Sequence, residues 1–144
     1  MKEVIDDLVI DYNFDAGPFV GLTSEKKYQC RVEFWKPNSK KHWGDLVYSA
    51  NIDSLGKTAF VPTKWYIEWT IRVYKEDNLV FTHKLDLEGK KVFVRLSSNM
   101  LGDNFCWIPY VEEFRKKHNC EIFCGSTFPE IFEHTYDFEF WKEG

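Results

Sequence analysis

Residues 90–124, KKVFVRLSSNMLGDNFCWIPYVEEFRKKHNCEIFC, decide the fold of this chain. Val92-Phe93-Val94 is an uninterrupted apolar run, expected for a strand covered on both faces. A Leu101-Gly102-Asp103 turn follows, and then apolar residues at Leu101, Phe105, Ile108, Val111 and Phe114. That spacing is the stripe of a helix with 3.6 residues per turn. Pro109 lies inside the stripe, so the helix is expected to kink there or to restart with Pro109 in its first turn. Glu112 and Glu113 then fall early in the restarted helix, and Arg115, Lys116 and Lys117 late, which complements the helix dipole. Asn119 is the expected left-handed cap, and Cys120 to Cys124 a second, parallel strand reached by a right-handed crossover. A carboxylate at such a strand-to-helix junction sits where open α/β sheets bind their ligands.

Upstream the pattern has period two. Leu8, Ile10, Tyr12 and Phe14 alternate with Asp11 and Asn13, and Asp15-Ala-Gly-Pro18 makes a turn. Tyr28, Cys30, Val32 and Phe34 form one face of Lys27 to Trp35, and Trp65, Ile67, Trp69, Ile71 and Val73 one face of Trp65 to Tyr74. Leu46 to Ile52 and Leu79 to Leu87 are further strands. Lys36 to Gly44 is expected to be a polar loop, and Ser54-Leu-Gly56 a turn. Short strands at this spacing imply a small antiparallel barrel or sandwich over residues 1–88. The remainder, 89–144, is then a βαβ unit continued by a short helix at Phe128 to His134 and a third strand at Tyr136 to Trp141. The expected class is α+β.

Composition narrows the function. The chain has 144 residues and an aromatic content of 18%, which suits pleated, half-buried sheet faces. A net charge of −4 argues against a dedicated nucleic-acid binder. No apolar run reaches membrane-spanning length, and MKEVIDDLVI is too acidic for a signal peptide, so the expected location is the cytoplasm. The four cysteines, at 30, 106, 120 and 124, are then expected to be reduced. Cys120 and Cys124 share a strand face, and Cys106 or His118 would complete a metal set with them; the spacing is looser than that of tetrahedral metal knuckles, and no metal is expected.

The candidate site is Ser97 to Asp103. Gly102 permits a positive φ or a close approach to a ligand. Asp103 is expected either to cap the helix or to act as a general base that takes a proton from an attacking hydroxyl. Ser98, Asn99, Leu101, Gly102, Asn104 and Trp107 are the neighbouring residues expected to contact substrate. There is no dinucleotide fingerprint or Walker sequence, which counts against a flavodoxin-like small-ligand binder. Lys36, Lys40, Lys41 and His42 are expected to be a solvated patch, and His83, His118 and His134 show no partner for a catalytic dyad.

Leu101-Gly102-Asp103 followed by Trp107-Ile-Pro109-Tyr110-Val-Glu-Glu-Phe114, with Lys-Lys-His-Asn-Cys at 116–120, closely resembles the autotransporter protein heptosyltransferases. The resemblance implies the first part of a GT-B enzyme: an N-terminal β-barrel that holds the acceptor, then the start of the first of two Rossmann-like domains. It implies transfer of heptose from ADP-heptose to serine hydroxyls of an autotransporter, with Asp103 as catalytic base. The ADP-heptose site is expected only with a C-terminal domain or subunit, so the chain is expected to be inactive alone and to self-associate. The alternative is a non-catalytic module that binds a protein or peptide through Trp35, Trp43, Trp65, Tyr66 and Trp69.

Overall fold

A computed structural model describes every residue except 64 and divides into two compact units, Met1–Leu85 and Asp86–Gly144. The first unit contains β1 (Lys2–Ile5), β2 (Leu8–Asn13), β3 (Phe19–Thr23), β4 (Gln29–Asn38), β5 (Lys41–Asp53), β6 (Leu55–Phe60), β7 (Thr70–Lys75) and β8 (Asn78–Lys84). They form two four-stranded antiparallel sheets, ordered β1-β2-β3-β6 and β5-β4-β7-β8. Most of the period-two residues meet as expected; the strand expected from Trp65 begins only at Thr70, and Trp65 itself is half exposed. Leu8, Ile10 and Tyr12 from β2, Val20 and Leu22 from β3, Cys30, Val32 and Phe34 from β4, and Ile71 and Val73 from β7 build a single core with Trp69.

Three strands were not expected from the pattern. β1 and β6 are edges whose side chains are mostly exposed, so no apolar alternation marks them. β3 is interrupted by Gly21. The expected polar loop at 36–44 is instead the tip of a long β4–β5 hairpin. Beyond Trp35, β4 pairs only with β5, and the register shifts between Lys36 and Asn38. Pro37 therefore falls at an irregularity where its missing N–H breaks no ladder bond. Gly44 answers it with φ +78°, and a Cβ there would lie 2.2 Å from the Lys36 carbonyl oxygen.

Ser54 is where the chain leaves one sheet and enters the other, since β5 and β6 belong to different sheets. It is fully buried. Its N–H donates to the Tyr28 carbonyl at 3.1 Å and its Oγ accepts from the Tyr28 N–H at 2.9 Å. Its hydroxyl also contacts that of Ser24.

The second unit contains β9 (Lys91–Arg95), α1 (Leu101–His118), β10 (Glu121–Ser126), α2 (Pro129–Phe132) and β11 (Glu139–Lys142). The three strands are parallel, in the order β11-β10-β9. Helix α1 runs unbroken through Pro109 and ends at Asn119, whose φ of 48° and ψ of 49° make the expected left-handed cap. Its buried residues are Asn104, Ile108, Val111 and His118. Leu101 and Phe105, expected in the stripe, are on the open side, because the helix rolls to bring Asn104 onto the sheet.

A second correction concerns β9. Only one of its faces is covered, and Phe93 is 56% exposed. Phe93 stacks on Trp141 at 4.2 Å between ring centroids, and Trp141 lies 5.0 Å from Phe123. These rings form their own patch where a doubly covered sheet would carry a helix. Gly125 makes room for it, since a Cβ there would lie 2.3 Å from the Trp141 ring.

Candidate functional site

The site gathers at the carboxyl ends of β9 and β10. Leu96 extends the ladder through its N–H to the Gly125 carbonyl (3.0 Å), and the chain then turns through 97–100 into α1. Asp103 falls in the first turn of α1, not at its cap, which is Met100 and makes no side-chain cap bond. A carboxylate there complements the positive end of the helix dipole. It is partly exposed and accepts a hydrogen bond from Ser98 Oγ at 2.6 Å. Ser98 Oγ in turn accepts from the Met100 N–H at 3.1 Å. The loop thus orients one carboxylate oxygen and leaves the other without a hydrogen bond to any described residue.

Asn104 is the residue whose role the sequence misplaced. It is fully buried. Its Nδ2 donates to the carbonyls of Ser98 (3.1 Å) and Met100 (2.9 Å), and its Oδ1 accepts from Ser126 Oγ at 2.8 Å. Ser126 Oγ accepts from the Phe128 N–H at 3.1 Å. One amide therefore fastens the loop that bears Asp103 to the end of β10, and no polar atom of it is left to touch substrate. Asn104→Asp would place oxygen against two carbonyls. We expect it to destabilise the second unit by about 1–3 kcal/mol for each group left unpaired, read as a lowered denaturation midpoint.

The other expected contacts remain at the surface. Asn99, Leu101, Gly102 and Trp107 are exposed, and Ser98 is partly so. Gly102 lies within the helix and is not among the glycines with positive φ; a Cβ there would meet open space. The positive-φ role expected of it is therefore not used. Glu112 pairs with Arg115 through two bonds of 2.8 and 2.9 Å, and this guanidinium holds its carboxyl below the usual range.

Cys30, Cys120 and Cys124 are buried, and Cys106 is exposed. Burial pushes the Cys124 thiol up to about 11. Since the thiolate is the reactive form, brief iodoacetamide treatment of the native chain is expected to alkylate Cys106 alone, as read by peptide mass spectrometry. Among the described residues no three His, Cys, Asp or Glu side chains are grouped to hold a metal ion. No described helix is long and apolar enough to cross a membrane.

The fold, a β-sheet unit followed by a parallel βαβαβ unit, matches solved structures over most of the chain. The fold superposes on the iron-containing dodecameric glycosyltransferase TibC from enterotoxigenic E. coli H10407 with a TM-score of 0.77 at 20% identity, over 92% of this chain and 34% of that one. The dodecameric heptosyltransferase TibC in complex with ADP-D-beta-D-heptose gives a TM-score of 0.75 at 20% identity, over 92% and 33%. In sequence, the chain is 33% identical over 84 residues to the autotransporter heptosyltransferase Aah of Escherichia coli, covering 57% of this chain and 21% of Aah. No family model matches. The chain is thus similar to the autotransporter heptosyltransferases, and it spans about a fifth of the length of the curated relative and a third of the solved structures.

Proposed function

We propose that the chain is the N-terminal portion of a bacterial protein O-heptosyltransferase, with the first unit holding an autotransporter acceptor and the second carrying the base. The observation that carries this reading is Asp103, held by Ser98 at 2.6 Å at the end of β9, within the motif that resembles the heptosyltransferases. The Asp103 carboxylate takes the proton of an acceptor serine hydroxyl as its oxygen bonds to the anomeric carbon of heptose. The bond from that carbon to the phosphate oxygen breaks, and ADP leaves with its electron pair. Asn104 positions the loop, and Ser98, Asn99, Leu101, Gly102 and Trp107 flank the acceptor. The ADP-heptose site is supplied by a C-terminal domain or subunit. The reaction takes place in the cytoplasm, and the assembled protein self-associates.

The chain alone, mixed with ADP-heptose and an autotransporter fragment, is expected to transfer nothing. Addition of a separately expressed C-terminal half is expected to start heptose incorporation, followed by intact-mass spectrometry of the acceptor. Failure of every such half to restore transfer would favour the second reading, a non-catalytic protein- or peptide-binding module. That reading draws on the exposed rings of Trp43, Trp65 and Tyr66. Trp69, expected among them, belongs to the core.

A further inference from the structure

The outer face of the β5-β4-β7-β8 sheet carries a polar row across all four strands. Glu33 of β4 pairs in register with Ser49 of β5 on one side and Arg72 of β7 on the other, and Arg72 pairs with Thr82 of β8. Glu33 and Arg72 are each only 8% exposed. Although opposite each other, they form no ion pair; Glu33 Oε2 lies 3.9 Å from Arg31 Nε instead. The Arg72 guanidinium is held between rings, 4.2 Å from the Trp43 centroid and 5.1 Å from that of Trp35. Three buried atoms of the cluster have no protein partner: Glu33 Oε1, Trp35 Nε1 and Arg72 Nε.

A buried carboxylate and a buried guanidinium with unmet bonds are expensive unless something meets them. What meets these must accept from two N–H groups and donate to one carboxylate oxygen. Vicinal hydroxyls do both, since each hydroxyl is donor and acceptor at one atom. A peptide adding a strand to the sheet fits less well, since that mode needs a sheet edge, whereas β4 and β7 are inner strands. Trp43 supplies the flat apolar wall. It is 62% exposed near the hairpin tip, so an entering ligand displaces this ring from the arginine and receives it on its own face.

We propose that Glu33, Trp35, Trp43 and Arg72 form a binding site for a hydroxylated sugar ring, separate from the Asp103 chemistry. The test is saturation-transfer NMR on the whole chain with methyl α-D-mannopyranoside, with a serine peptide bearing the same sugar, and with the bare peptide. Saturable transfer from the glycoside is expected, and transfer from the glycopeptide but not the glycoside would place the source in a glycoprotein. Trp43→Ala, an exposed position whose folding is checked by circular dichroism, is expected to weaken binding about tenfold or more, as loss of about 1.4 kcal/mol does. Arg72→Lys, which keeps the charge but not the planar fork, is expected to do the same, and Asp103→Asn to leave binding unchanged. Equal binding of the bare peptide, no saturable transfer from either sugar-bearing probe, or binding undiminished in Trp43→Ala would each overturn the site.

Discussion

Asp103→Asn is expected to abolish heptose transfer in the reconstituted system, with a loss of about 100- to 10,000-fold, the usual contribution of a positioned general base. The substitution is nearly isosteric, and Asn retains an oxygen that can accept the Ser98 Oγ bond now 2.6 Å long. The loop should therefore keep its shape, because its main fastening is through Asn104 rather than Asp103. The measurement is the initial rate of heptose incorporation, with the thermal midpoint of the variant as control. An unchanged midpoint with the rate lost is the expected pair of results. Transfer at the wild-type rate would remove Asp103 from the chemistry. Ser98→Ala should have a milder effect, since it leaves the carboxylate in place but frees its orientation.

The second large effect is on stability. Trp69 is 1% exposed, its indole N–H donates to the Trp65 carbonyl at 2.8 Å, and its ring stacks on that of Trp65 at 6.3 Å and 7°. Trp69→Ala removes the largest side chain of the core and leaves a cavity beneath both sheets of the first unit. The expected cost is about 3–5 kcal/mol, set against a total of about 5–15 kcal/mol for a small domain. Urea denaturation followed by far-ultraviolet circular dichroism should show the midpoint of the first unit lowered by that loss. A loss below about 1 kcal/mol would mean that the core closes over the gap.

The fold was legible wherever one face of a strand is buried and the other is wet. Cys30, Val32 and Phe34 announced β4 because solvent and core select opposite residue types at alternate positions. β1 and β6 were illegible for the converse reason, since an exposed edge selects neither. In α1 the spacing identified the helix, its buried Ile108 and Val111 and its partly buried Phe114, but missed the first turn, where Leu101 and Phe105 are exposed. Asn104 faces the sheet as a hydrogen-bonded clamp, and polarity alone cannot tell a clamp from a surface residue. The candidate site was legible in Asp103 and its Leu-Gly-Asp context. The Ser126 contribution was not, because its link to Asn104 is made across 22 positions of chain. Glu33 and Arg72 likewise looked like an ordinary solvent face until the register set them opposite each other.

Ser54 has a consequence for how the first unit comes apart. A single residue with no slack joins β5 to β6, and its backbone and hydroxyl are both bonded to Tyr28, just ahead of β4. Those bonds continue the β4–β5 pairing, so β6 is tied through one residue to a paired end of the other sheet and cannot move far from it while that pairing holds. With the shared core, the eight strands are expected to open as one cooperative foldon, the slowest-exchanging amides of β2, β4 and β7 being released together.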